Sequence, residues 1–185
     1  MLEFERIYQE YHPKIQRYLN NLAGEEHARD LTQAVFLNIS RSLADFRGAS
    51  SLSTWIYRIA TNLAHDHAAS SLVRQQEREV LFPEGESLDD LPDARFMSAD
   101  REYIRREMNT CIRGVVNDLP ENYRAVLILS EFEELSNNEI AEIVGISIDT
   151  VKIRLHRARR ALRQAMECRC TFYHDERSEI MCDRK

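Results

Sequence analysis

The stretch from Ser136 to Met166 has the pattern of a complete helix-turn-helix. Ser136 is followed three residues later by Glu139, and this capping box starts a first helix. Gly145 ends that helix, because glycine readily adopts the left-handed conformation of a helix C-terminus, and Ser147 caps the next one. The apolar residues of the second helix recur at the spacing of one buried face: Val151, Leu155, Ala158 and Leu162. The second part of the chain must therefore fold as a small helical domain.

The opposite face of this second helix is cationic. Its basic residues are Lys152, His156, Arg157, Arg159, Arg160 and Arg163, and no acidic residue lies between Thr150 and Met166. A basic amphipathic helix alone is typical of a solvated surface, a membrane surface or a calmodulin target. A capped helix and a short turn before it are what a DNA reader requires, so the pair predicts a helix that enters the major groove.

The chain has 185 residues and a formal net charge of -6, which on its own argues against a nucleic-acid partner. The charge is uneven, however, because the segment from Glu77 to Arg95 holds seven acidic and two basic residues. This segment cannot form a continuous helix, because it contains Pro83, Gly85 and Pro92. Residues 75–98 are therefore predicted to be a flexible acidic linker. It is either a solvated spacer or an acidic strand that mimics nucleic acid in a basic channel of a partner.

Helical periodicity also covers the first part of the chain. The apolar positions are Phe4, Tyr8, Tyr11, Ile15, Tyr18 and Leu22, and after Gly24 they are Leu31, Val35, Ile39 and Leu43. A third helix is predicted with Ser53 or Thr54 as its cap and with Trp55, Ile59 and Leu63 facing inward. The predicted fold class is therefore all-α, with helical domains at 1–74 and 99–167 and a cysteine-containing tail at 168–185.

Two other classes of function are disfavoured. No apolar run approaches the roughly 18 residues of a membrane helix, and the N-terminus lacks a signal region, so a cytoplasmic protein without a membrane partner is expected. One stretch contains residue types found in metal and acid/base sites: His65, Asp66 and His67. Adjacent helical positions point about 100° apart, however, so these side chains do not converge on one ion. They are interpreted as solvated residues, and no enzymatic activity is expected.

Four segments in a fixed order resemble the extracytoplasmic-function class of bacterial sigma factors. They are DLTQAVFLNISRSLADFRG at 30–48, STWIYRIATNLA at 53–64, LPENYRAVLIL at 119–129 and LSNNEIAEIVGISIDTVKIRLHRARRAL at 135–162. The resemblance implies two helical domains, the second and fourth sigma regions, in a subunit that binds bacterial core RNA polymerase and directs initiation at promoter DNA. An anti-sigma factor is a further partner that it allows. The rival interpretation is a stand-alone helix-turn-helix regulator, against which the block around Trp55 and Asn62 argues.

The resemblance also implies roles for individual residues. Polymerase contact falls on Asp30, Gln33 and Phe36, minus-10 recognition on Trp55, Arg58 and Asn62, and minus-35 recognition on Thr150, Lys152, Arg154, His156 and Arg157. Members of the class commonly carry several basic residues just after the Asn62 position, whereas this chain has no arginine there until Arg74. Contact with the duplex backbone at that point is therefore expected to be weaker.

The tail after Met166 is a second departure from a minimal sigma factor of this class. It holds Cys168, Cys170, His174 and Cys182, and it is similar to the cysteine-rich tails of a metal-responsive subgroup. Thiolates suit zinc or copper(I), and four-coordinate binding needs a fourth ligand, either His174 or the distant Cys111. A shared role for Cys168 and Cys170 requires the helix to end around Glu167. The alternatives are a disordered end or a redox-reactive thiol cluster, with Cys111 as a small buried hydrophobe.

Overall fold

The computed structural model describes residues 4–79, 112–174 and 180–184. The helices are α1 (Phe4–Ala23), α2 (Glu25–Ser42), α3 (Leu52–Glu79), α4 (Glu121–Glu131), α5 (Asn137–Val144) and α6 (Ile148–Arg169). A short 3-10 turn, Leu43–Asp45, follows α2, and residues 112–117 are also helical. The predicted all-α fold is confirmed. The tail adds an unpredicted antiparallel hairpin of β1 (Cys170–His174) and β2 (Ile180–Arg184).

Helices α1, α2 and α3 pack together as the first bundle. The predicted cap of α3 was wrong, and the predicted inward face was incomplete, since Trp55, Ile59 and Leu63 do pack against the core. The cap of α3 is Ser51, whose Oγ accepts the Thr54 backbone N–H at 3.0 Å. Its buried face consists of Ile56, Tyr57, Ala60, Thr61 and Ala64, whereas the predicted inward residues Trp55, Ile59 and Leu63 are half-buried. Alanine contributes little to a hydrophobic periodicity, so the sequence pattern did not identify this face. Its small side chain allows neighbouring helices to pack closely, and here the face with the alanines is the buried one.

The second bundle is built around α4. Five consecutive residues of this helix, Ala125 to Leu129, are buried, so α4 has no solvent-facing stripe in its middle. The reason is that α6 and α5 pack against α4, and α1 of the first bundle also contacts it. A helix that is apolar on all sides is typical of a central position, and α4 occupies it.

The two bundles share one continuous hydrophobic core. The polar centre of their interface is Glu133, in the turn after α4, whose side chain is 2% exposed. Its Oε2 accepts hydrogen bonds from Nη2 of Arg17 at 3.0 Å and from the hydroxyl of Tyr57 at 2.5 Å. The next residue, Glu134, has a positive φ of 54°, a conformation that a non-glycine residue rarely adopts. This turn geometry aims the Glu133 carboxylate at the first bundle.

Most of the predicted linker, residues 75–98, lies outside the described residues, since only its first five positions belong to α3. That helix runs past the expected domain boundary at residue 74 to Glu79. Within the described ranges, none of the helices combines the length and the apolar character that crossing a bilayer requires.

Two buried tyrosines make the folding stability sensitive to alkaline pH. Burial raises the pKa of Tyr18 and of Tyr57 above the ordinary value of 10.0, and for Tyr57 the neighbouring Glu133 carboxylate raises it further. The Tyr18 hydroxyl lies 2.8 Å from Oγ1 of Thr61, which itself donates to the Tyr57 carbonyl at 2.7 Å, so Tyr18 is the donor. The folded chain therefore keeps protons that unfolded tyrosines lose near pH 10.

Stability is expected to be intact below pH 10 and to fall as the pH rises above it, by about 1.4 kcal/mol per pH unit for each such tyrosine. Urea unfolding between about pH 9 and about pH 11 measures this slope. Tyr18→Phe removes one titrating hydroxyl and leaves Thr61 with its own acceptor, so its slope should be shallower. Equal slopes for the two proteins would contradict the assignment.

Candidate nucleic-acid interface

The helix-turn-helix forms as the sequence predicts. The Ser136 backbone N–H donates to Oε2 of Glu139 at 2.9 Å, and Oγ of Ser136 accepts the Glu139 N–H at 3.4 Å, which completes the capping box. Gly145 adopts φ 70° and ψ 35°, the left-handed conformation that ends α5. Oγ of Ser147 then accepts the Thr150 N–H at 3.2 Å and starts α6. The local sequence thus fixes both helix boundaries at the turn.

The outward face of α6 carries most of the predicted minus-35 contacts. Val151, Leu155 and Ala158 are buried against α4 and α5, which turns the opposite face to solvent. Lys152, His156 and Arg157 are exposed there, whereas Thr150 and Arg154 are half-buried at the edge. Lys152 Nζ lies 3.6 Å from Oδ1 of Asp149, an exposed pair of little energetic weight that leaves the ammonium available.

Two other arginines of α6 are exposed but are paired with carboxylates of neighbouring segments. Arg159 donates from Nη2 to Oε1 of Glu131 at 2.6 Å, which ties α6 to the end of α4. Arg169 donates from Nη2 to Oδ2 of Asp118 at 2.6 Å. Charge counting on the sequence places Arg159 with the rest of the basic face, and only the packing shows that it is paired.

The predicted minus-10 residues lie on α3, and one of them, Arg58, contacts the second bundle. Nε of Arg58 donates to the Glu142 backbone carbonyl of α5 at 3.0 Å, and its Nη2 lies 3.8 Å from the Glu142 carboxylate. The Trp55 ring packs against Phe46 at 5.0 Å between centroids and at a tilt of 41°, while Asn62 is exposed. In this arrangement the Arg58 guanidinium is therefore engaged between the bundles.

The His65-Asp66-His67 stretch does not assemble a site. His65 and Asp66 are exposed, and the His67 ring packs against His27 of α2 at 4.5 Å between centroids. Among the side chains that the structure describes, no group of three or more histidine, cysteine, aspartate or glutamate residues is arranged to hold a metal ion.

An apolar groove of about 380 Å³ lies between α1 and α2. Its lining residues include Phe4, Tyr8, His12, Gln33, Phe36 and Leu37. Two of the predicted polymerase contacts, Gln33 and Phe36, thus meet in one groove, and Asp30 is exposed one helical turn before Gln33. Phe36 itself is only 4% exposed and forms the floor of the groove.

Sequence reasoning missed Leu37, which is 56% exposed at the rim of this groove. A signal for it was present. Leu37 lies two positions from both Val35 and Ile39, which places it about 200° away from that buried stripe. An apolar residue on the outer face of an amphipathic helix marks a candidate contact surface.

The hairpin determines how the tail cysteines are spaced. Helix α6 ends at Arg169, two residues beyond the expected point, so Cys168 is exposed on its last turn and Cys170 is buried as the first residue of β1. The strand register pairs Cys182 with Phe172, two rungs from Cys170. His174 pairs with Ile180 at the far end of the ladder. Cys111 lies outside the described residues.

The comparisons with known proteins cover both bundles. Residues 7–75 match the family described as Sigma-70 region 2, and residues 109–162 match Sigma-70, region 4. RNA polymerase sigma factor YlaC of Bacillus subtilis is 35% identical over 163 residues, which are 88% of this chain and 91% of that protein. ECF RNA polymerase sigma factor SigW of Bacillus subtilis is 33% identical over 165 residues, 88% of each chain.

The fold is also similar to a solved structure, that of the sigma factor RpoE in complex with the anti-sigma factor NepR from Bartonella quintana. The TM-score is 0.68 at 21% sequence identity, over 89% of this chain and 96% of that chain.

Proposed function

Because the chain belongs to the extracytoplasmic-function class of RNA polymerase sigma factors, we propose that its surfaces divide the work of promoter recognition. The outward face of α6 reads the duplex minus-35 element, α3 reads the minus-10 element, and the groove between α1 and α2 docks on core RNA polymerase. The rival interpretation, a stand-alone regulator, does not account for the first bundle. On this proposal the chain acts by binding polymerase and promoter DNA, without catalysing a reaction itself. It does so in the cytoplasm, where the chromosome is transcribed.

The observation that carries the upstream assignment is the exposed cationic face of α6. Lys152, His156 and Arg157 stand on it, at the N-terminal half of the second helix of a helix-turn-helix. That half enters the major groove in proteins of this architecture. Lysine and arginine there neutralise phosphates, and an arginine also reaches the O6 and N7 acceptors of guanine.

The polymerase assignment is supported by the groove between α1 and α2. It combines an apolar floor with the exposed polar groups of Gln33 and Asp30 at its side. Protein interfaces place an apolar centre inside a polar rim in the same way. The exposed Leu37 extends the apolar part beyond the positions that the sequence resemblance implied.

The minus-10 assignment rests on Trp55, Arg58 and Asn62, which recur at helical spacing along one side of α3. An exposed amide such as that of Asn62 suits a base taken out of the stack, because it offers both a donor and an acceptor to the base edge. Arg58 becomes available to the DNA backbone only when its contacts with Glu142 open.

Substitutions should separate these roles. In the reconstituted holoenzyme, Lys152→Ala and Arg157→Ala are expected to leave core binding intact. Each should weaken upstream promoter binding and lower its salt dependence by about one phosphate contact, or cost roughly 1–3 kcal/mol at one position if it contacts a base. Gln33→Ala and Asp30→Ala should instead weaken core association. Pull-down with core polymerase and footprinting over a salt series measure the two effects.

Arg159→Ala is the matched control for the α6 substitutions. It removes the same charge from the same helix, but that guanidinium is bound to Glu131 within the fold. Its salt dependence should equal that of the wild type. If all of these variants fail at the same step, the division of roles is wrong.

We also propose an anti-sigma factor as a regulatory partner. The support is the fold that this chain shares with a sigma factor crystallised with an anti-sigma factor. The exposed groove with Leu37 on its rim offers such a partner an apolar binding surface. An anti-sigma factor bound there would compete directly with polymerase for the groove.

For the tail we propose metal sensing through Cys168, Cys170 and Cys182. The hairpin supports this set, because β2 returns Cys182 to within two rungs of Cys170 in the ladder. His174 lies four residues along β1 from Cys170, about 13 Å in an extended strand. Zinc–ligand bonds are about 2.0–2.3 Å long, so His174 joins the same ion only if the hairpin end folds back.

Reduced protein titrated with zinc or copper(I) is expected to bind one equivalent and to change its promoter-specific transcription. The triple variant Cys168→Ser, Cys170→Ser and Cys182→Ser should lose both responses, while Cys111→Ser tests the distant ligand separately. Thiolate–metal absorption reports binding independently of transcription. Equal binding or equal transcriptional response in wild type and triple variant would remove the sensor role.

A further inference from the structure

Ile153 is an apolar residue at the centre of the cationic face of α6. It is 52% exposed, although Val151 and Leu155, two positions away on either side, are 0% and 3% exposed. At about 100° per residue, Ile153 lies about 200° from both of them and so points directly away from the core. Single exposed isoleucines are ordinary on protein surfaces, but the position of this one gives it a specific neighbourhood.

That neighbourhood is charged and open. His156 and Arg157 follow Ile153 by three and four residues on the same face, and both are exposed. Neither has an ion pair with another residue in the described part of the chain. A surface of this charge attracts a polyanion, and the docked duplex would then cover the isoleucine between the two basic side chains.

We infer that Ile153 reads thymine in the minus-35 element by packing against the C5-methyl group. This inference rests on the proposed role of α6. The major-groove edge of thymine offers that methyl group, and among the four bases only thymine does so. Isoleucine has no hydrogen-bonding group, so it favours a methyl and leaves polar base edges unsatisfied. Its β-branched side chain is nearly fixed at χ1 in a helix, which presents a rigid apolar surface with little entropy to lose on binding.

Ile153 would supply a discrimination between bases that the basic residues of α6 lack. Lys152 and Arg157 bind phosphates or guanine, and their contacts to phosphate are independent of sequence. Ile153 would make the helix prefer A·T over G·C at the position beneath it, through the thymine of that pair. One buried methyl group corresponds to about 0.8 kcal/mol, or about fourfold in affinity.

The test uses the holoenzyme formed from core polymerase and the full chain. The preferred upstream element is first selected from a randomised duplex, and each thymine in it is then replaced singly by deoxyuracil, which lacks only the methyl group. Wild-type holoenzyme should lose about three- to fivefold in affinity at one or two of these thymines. Ile153→Ser should bind core polymerase normally and lose the discrimination between thymine and deoxyuracil at those positions.

Ile148→Ser is the matched control. Ile148 is 41% exposed at the start of the same helix, but it lies about 60° from Val151 around the helix, beside the buried face. This variant should keep the wild-type discrimination. A selected element without an A·T pair, no penalty for any deoxyuracil, or an unchanged penalty in Ile153→Ser would each overturn the inference. Failure of the holoenzyme to select any upstream sequence would instead remove the proposed role of α6.

Discussion

Phe36→Ala is expected to destabilise the chain by about 3–5 kcal/mol. Phe36 is 4% exposed, and its ring meets Tyr8 at 4.8 Å, His12 at 5.7 Å and Phe4 at 6.5 Å between centroids. Truncation to alanine removes the shared partner of three aromatic rings and leaves a cavity below the groove. Urea unfolding measures the loss, and a pull-down with core polymerase should show weaker association as well.

The neighbouring Leu37→Ala separates docking from folding. Leu37 is 56% exposed, so its truncation should change the free energy of unfolding by no more than about 0.5 kcal/mol. If the groove docks on polymerase, core association should still weaken. A stable Phe36→Ala protein would contradict the burial argument, and normal core binding by Leu37→Ala would show that the partner does not reach the rim.

The double variant Arg17→Ala and Tyr57→Phe is expected to separate the two bundles. It removes both hydrogen-bond donors of the Glu133 carboxylate, whose side chain is 2% exposed. The Arg17 side chain is 56% exposed, so this pair is buried only on the Glu133 side. A buried carboxylate that loses its donors costs up to about 3–5 kcal/mol, because its charge is then uncompensated. Here the carboxylate regains water if the bundles move apart. We therefore expect a larger radius of gyration in X-ray scattering and a lower interbundle transfer efficiency between fluorophores.

Two control variants test whether the separation of the bundles is caused by the unpaired Glu133 carboxylate. Arg58→Ala breaks the exposed pair with Glu142 in the same interface, where loss of an ion pair costs less than about 1 kcal/mol. This variant should stay compact. Adding Glu133→Leu to the double variant removes the buried charge and should restore compact dimensions. A double variant as compact as the wild type would show that Glu133 does not hold the interface.

If α3 and α6 read the two promoter elements as proposed, this interface must open for promoter binding. The minus-10 and minus-35 elements are about 25 base pairs apart, roughly 85 Å along the duplex at 3.4 Å per pair. The longest of the described helices, α3, has 28 residues and spans only about 42 Å. Bundles that share one core cannot place α3 and α6 on both elements at once. On the proposed roles, the compact arrangement is that of the chain before it meets polymerase and promoter.

The helix-turn-helix is the part that the sequence alone determined. Ser136, Glu139, Gly145 and Ser147 act within their own turn, since a cap or a left-handed residue needs only its immediate neighbours. The family blocks likewise lie in short segments whose order is visible without a structure. These features depend on separations of three or four residues, which a one-dimensional pattern records directly.

The tertiary structure decided which members of each pattern are used, and how. Phe36 is the floor of the groove and Leu37 lies on its rim. Arg159 is paired with Glu131, whereas Arg157 has no ion pair among the described residues. Glu133 is the polar centre of an interface instead of a solvated acid. Arg17 and Glu133 are 116 residues apart in the chain. The sequence contains no periodicity over such a separation. Only packing brings Arg17 to Glu133 and removes the Glu133 carboxylate from water.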